Sequence, residues 1–101
     1  LHATILDITK AMSRDYFSLI DQMRRSALSV CLNIAEGSAK ESDKDFNRFL
    51  QNALGSVNEL VACLDICLRE KLITPSTFQE FLERSGEVAK QLGGLSRKLK
   101  S

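Results

Sequence analysis

Residues 46–68 read FNRFLQNALGSVNELVACLDICL, and the spacing of apolar side chains in this stretch decides the fold. Phe46, Phe49, Leu50, Ala53, Val57, Leu60, Leu64 and Cys67 recur at steps of three and four, and Leu54, Val61 and Leu68 widen the same face. That period belongs to an amphipathic α-helix; a strand would alternate at every second residue. Ser42, with Asp45 three positions on, resembles a capping box that opens the helix. The pattern continues to about Lys71, giving a rod about 43 Å long at 1.5 Å per residue.

The same period extends to both sides. Upstream, Ile20, Met23, Ala27, Val30 or Cys31, and Ile34 form one stripe, with Leu28, Leu32 and Ala35 beside it; Gly37 is placed to close this helix as a C-terminal cap. Downstream, Thr74-Pro75 is a start signal, because Thr accepts from the first free amides and Pro tolerates the first helical position. Phe78, Phe81, Leu82, Val88, Ala89, Leu92, Leu95 and Leu99 then keep their phase across Gly93-Gly94, so a single helix is expected there. At the start of the chain Leu1, Ile5, Ile8 and Met12 make a short amphipathic segment, which points to residues lost from its N-terminus. The expected helices are 1–13, 16–36, 43–71 and 75–100. Their wide apolar faces can be buried only against one another, which predicts an all-α, antiparallel up-down four-helix bundle as one domain over 1–101.

Composition agrees. One Pro, five Gly, no Trp and one Tyr in 101 residues lack the turn formers and aromatics of a many-stranded sheet. Fourteen basic against thirteen acidic residues leave a net charge of +1, so an electrostatic partner must be met by a local patch. The longest uncharged run, Ser26–Ala35, is far below the roughly 20 apolar residues of a membrane span. Neither a membrane helix nor a signal peptide is expected, and three cysteines in apolar helical patterns, Cys31, Cys63 and Cys67, read as buried, reduced thiols of a cytoplasmic protein.

A polar seam is the most specific feature. Gln22, Arg25, Ser29, Asn33 and Glu36 lie along one face of the second helix, and Arg48, Asn52, Ser56 and Glu59 along one face of the third. In an antiparallel hairpin, facing residues have a nearly constant sum of residue numbers. Glu36 with Arg48, Asn33 with Asn52, Ser29 with Ser56, and Arg25 with Glu59 all satisfy it. This predicts a ladder closed by ion pairs at both ends, with a structural role, since Arg-paired acids are held ionised and are poor proton-transfer groups.

The run Asp21-Gln22-Met23-Arg24-Arg25-Ser26-Ala27-Leu28-Ser29, then Asn33-Ile34-Ala35-Glu36-Gly37, then Phe46, Arg48-Phe49-Leu50, Ala53-Leu54-Gly55-Ser56 and Glu59-Leu60, resembles the bacterial four-helix bundle proteins related to the 23S rRNA intervening-sequence protein. The resemblance covers nearly the whole chain. It implies a homopentamer of bundles, and one relative, the accessory variability protein of diversity-generating retroelements, partners a reverse transcriptase and RNA. Cys31 stands where the family often has Pro. Ser38-Ala39-Lys40 replaces the aromatic and basic residues that often follow Glu-Gly, which thins any nucleic-acid surface on that loop.

No catalytic, cofactor or metal constellation emerges. His2 has no acid or nucleophile at a telling spacing, Cys63 and Cys67 lack two further zinc ligands, and neither Glu-x-x-His pairs nor phosphate-binding Gly loops occur. Arg24, Lys40, Lys44, Arg97, Lys98 and Lys100 lie outside the seam and the apolar stripes, and are the candidate contacts for nucleic acid or a partner. The function expected is a non-enzymatic oligomeric accessory or scaffold, with RNA or a reverse transcriptase as implied partners and no small-molecule substrate. The rival is a pure protein-interaction module; an enzyme using Cys31 or the seam is a distant third.

Overall fold

The computed structural model describes residues 1–100; the domain reading runs one residue further, to Ser101, outside the described residues. It contains four α-helices, α1 (His2–Lys10), α2 (Phe17–Ser38), α3 (Asp43–Arg69) and α4 (Pro75–Lys100), with a 3-10 turn at Arg14–Tyr16, and no strand among the described residues. None of the helices is long and apolar enough to cross a membrane.

Local chemistry sets the boundaries. Ser42 Oγ accepts from the Asp45 amide at 3.1 Å and Thr74 Oγ1 from the Thr77 amide at 3.1 Å, so both start signals act as caps. Ser13 accepts from the Asp15 amide at 3.3 Å, and there the chain turns; α1 therefore stops at Lys10, short of the expected Ser13, although Met12 still packs on the core. The helix across Gly93-Gly94 is continuous.

Gly37 does not cap α2. The helix runs on to Ser38, and Gly37 is buried. A Cβ there would lie 2.7 Å from Phe49 Cβ and 3.0 Å from Phe46 Cδ1, so this Gly exists for close approach of α3. The left-handed cap belongs to α3 instead. Lys71 takes φ 59°, its amide bonds to Leu68 O at 3.0 Å and the Leu72 amide to Cys67 O at 2.8 Å, the two bonds of a Schellman motif. A non-Gly residue pays about 1 kcal/mol for that conformation. Lys71→Gly is therefore expected to raise the urea midpoint, with a gain of about 0.5–1 kcal/mol; an unchanged or lower midpoint would mean that the Lys71 side chain contributes as much as the strain costs.

One core cluster gathers Ile5, Met23, Val30, Leu60, Leu64 and Phe81 from all four helices; a smaller one at the other end holds Leu50, Ala53 and Leu92, with Ile34, Phe46 and Leu99 against them. Each fully buried Leu or Phe contributes on the order of 1.5–3 kcal/mol. At 9 residues, α1 covers only the first part of the 22-residue α2, reaching it through Arg24 Nε, which donates to Thr9 Oγ1 at 2.8 Å. Beyond that cover, Leu28 and Leu32 are 46% and 55% exposed, and Cys31 and Ala35 are exposed beside them.

Candidate functional site

The α2–α3 hairpin brings the middle of the polar seam together. Ser56 Oγ donates to Ser29 Oγ at 2.8 Å, and Asn33 Nδ2 donates to Ser29 Oγ at 3.0 Å and to Ser29 O at 2.8 Å. Asn52 contributes its carbonyl, which accepts from Ser56 Oγ at 3.2 Å. These residues, with Gln51, Gly55 and Glu59, line an open groove of about 470 Å³.

The expected ionic ends do not form. Arg25 pairs with Asp21 on its own helix at 2.9 Å, and Arg48 with Asp45 at 3.9 Å. Glu59 instead accepts from Gln22 Nε2 at 3.4 Å and from Ser26 Oγ at 2.9 Å. The physical reason is reach: an i,i+3 or i,i+4 carboxylate is closer to a long guanidinium side chain than one across the hairpin, and both arginines are largely exposed. Glu36 is exposed at the far end of α2. Ser26, buried and facing Glu59, is the seam member that the stripe pattern does not include. Its position three before Ser29 on the same face was the available signal. A second polar cluster, also unforeseen, ties α3 to α4: Gln51 Nε2 donates to Ser96 Oγ at 2.9 Å, and Ser96 Oγ donates to Asn47 Oδ1.

The structure engages several of the candidate cations. Arg24 is committed to Thr9. Lys40 Nζ sits 5.3 Å from the centroid of the Phe49 ring, and the Arg48 guanidinium 5.1 Å from it, so both hold to one aromatic. The Arg97 guanidinium lies along the Gly93-Gly94 turn, and Lys98 also has an interaction partner. Lys44 and Lys100 are exposed. Because Asn47 bonds Ser96 and Phe46 packs in the same cluster as Leu99, the end of α4 stands beside the start of α3. Lys40, Lys44, Arg48, Arg97, Lys98 and Lys100 therefore share one end of the bundle, with Glu36, Glu41, Asp43 and Asp45 among them.

The cysteines divide. Cys31 is exposed, contrary to the sequence reading, because it lies on α2 beyond the stretch that α1 packs against; Cys63 and Cys67 are buried. Burial, and then the Glu59 carboxylate, raise the Cys63 thiol; burial, with Cys63 next and a backbone hydrogen bond opposing, pushes Cys67 up to about 11. Both stay protonated at neutral pH. One thiol, Cys31, is expected to react rapidly with a thiol reagent at pH 7 in the native state and three after unfolding; rapid native labelling of Cys67 would contradict the burial. The same shift has a stability consequence. Where the unfolded thiol ionises and the folded one does not, folding loses ground as pH rises, so stability falls from about pH 9 toward pH 11. Cys67→Ala should flatten that decline. His2 is half-buried on α1, and no group of three or more metal-ligating side chains occurs among the described residues.

A single bundle of four helices, whose central hairpin is pinned by a Ser-Asn-Glu seam and whose second helix leaves apolar residues uncovered, defines a class of small all-helical bundle proteins. The model of the 23S rRNA-intervening sequence protein family matches residues 1–94, and the chain belongs to that family. It is similar in structure to a protein of unknown function from the S23 ribosomal protein family of Bacteroides thetaiotaomicron. The TM-score is 0.88 and the identity 27%, over 94% of this chain and 90% of that one. No curated protein matches the chain.

Proposed function

We propose that this chain is a non-enzymatic accessory or scaffold protein that works as a homo-oligomer, a homopentamer by family resemblance. The observation that carries the reading is the apolar face of α2 at Leu28 and Leu32, which nothing in the bundle covers. Leaving two leucines about half in water forgoes on the order of 1 kcal/mol each, and contiguous exposed apolar residues mark contact surfaces. The seam supports a structural reading over a catalytic one, since Glu59 is occupied by Ser26 and Gln22. Leu32→Glu, a change on an exposed surface, is expected to lower the sedimentation coefficient while leaving helicity intact; an unchanged coefficient would take the α2 face out of the contact.

RNA is the partner that the family name brings forward, and the cations gathered around Lys40, Lys44, Arg97, Lys98 and Lys100 favour one end of the bundle for it. The acids among them hold the local charge low, so binding is expected to be weak and sequence-tolerant at low salt. Replacing Lys44, Lys98 and Lys100 together by Gln should flatten the log–log salt dependence of RNA retention without dissociating the oligomer. Absence of retention at low salt would leave the protein-interaction module, with no nucleic-acid partner, as the reading.

A further inference from the structure

Two faces of the bundle toward the α1 end carry opposite charge without an ion-pair partner. On one, α1, the 3-10 turn and α2 enclose a concavity of about 500 Å³ whose floor is Met12, Phe17 and Ile20 and whose rim is Lys10, Arg14 and Arg24. Phe17 is 70% exposed there. On the other, the outer side of α4 presents Glu80, Glu83 and Glu87, with Arg84 among them donating to Thr4 Oγ1 at 3.0 Å and Lys90 following one turn on. Lys10, Arg14 and the three glutamates make no ion pair with any described residue. Both faces are fixed to α1, the basic one through Arg24 and Thr9 and the acidic one through Arg84 and Thr4, anchor points about 7.5 Å apart along that helix.

The glycines of α4 add an independent observation. Gly86 has nothing within 4 Å of where a Cβ would stand, and around Gly93 and Gly94 only the flexible end of Arg97 comes near. A helical Gly costs about 1 kcal/mol relative to Ala, and nothing inside this chain repays that cost. Gly86 is exposed beside Glu83, Glu87 and Lys90, and Gly93 and Gly94, half-buried, follow about two turns on along the same helix next to the Arg97 guanidinium. Carried through the α2–α3 and α3–α4 hydrogen bonds, Gly93 falls level with Leu32. A face with acids above and glycines below thus complements one with cations above and uncovered leucines below.

We infer that the outer face of α4 in one copy docks on the α1–α2 face of the next, Glu80, Glu83 and Glu87 meeting Lys10, Arg14 and Arg24, and the glycines admitting Leu28 and Leu32. The two patches differ, so the contact is heterologous and each copy keeps one face of each kind for a further neighbour, the arrangement that builds a ring when the rotation from copy to copy closes. This rests on the self-association proposed above and names its interface.

The test compares masses in solution by light scattering for the wild-type chain and three variants, with circular dichroism as the check on folding. Gly86→Trp has room within its own chain, so it should keep helicity and break the assembly. Lys10→Glu with Arg14→Glu should weaken assembly about a hundredfold by setting like charges together, and adding Glu80→Lys and Glu83→Lys in the same chain should restore it. A monomeric wild type would defeat the self-association reading itself and leave the basic concavity to a different protein. A wild-type oligomer that survives both Gly86→Trp and the basic-face reversal would keep that reading and overturn this interface, as would a four-site variant that fails to reassemble.

Discussion

Phe81→Ala is expected to cost about 3–5 kcal/mol, the range for a buried Phe whose cavity cannot collapse. Phe81 is 1% exposed, the largest of the fully buried side chains, and it brings α4 into the cluster that holds Ile5 and Met23. Its loss would strike α1 first, because that helix is short and is otherwise held by Ile5, Ile8 and the bonds of Thr9 and Thr4. Hydrogen exchange should accordingly show α1 amides losing protection before those of α3. Phe78→Ala, at a half-buried site one turn earlier, is the comparison and should cost clearly less. Equal effects from the two would mean that α4 is rotated from the orientation described.

The same substitution at two glycines should act with opposite sign. Gly37→Ala places a methyl 2.7 Å from Phe49 Cβ, an atom that cannot swing aside without moving α3. Overpacking of this kind costs typically 1–3 kcal/mol, more than the roughly 1 kcal/mol of helix propensity that Ala returns. Gly55→Ala meets nothing within 4 Å and should keep the propensity gain. Urea denaturation of both variants decides the matter. A stabilised Gly37→Ala would show that α2 and α3 are farther apart at that end than the geometry has them.

The four helices were legible because each keeps a period of three and four for several turns, and the register of α2 on α3 because Ser29 and Ser56 are short enough to meet only where the backbones do. What escaped the sequence was governed by reach and by neighbours. Arg25 and Arg48 have several carboxylates within range, and residue spacing does not rank them; both took the one on their own helix. Gly37 sits where a C-cap would, and only the position of Phe49 reveals that it serves contact and not a turn. Lys71 gives no sign in its side-chain chemistry of the left-handed backbone it adopts. The exposure of Cys31 depends on how far along α2 the antiparallel α1 reaches, which the apolar spacing within α2 does not show. The cations looked unattached in sequence because the ring that holds Lys40 belongs to the next helix.

Self-association is the centre of the account, and the mass of the native chain in solution tests it most directly. Light scattering at micromolar concentration and moderate salt is expected to give about five times the 11.3 kDa of one chain. A single species of 11.3 kDa under those conditions would contradict it.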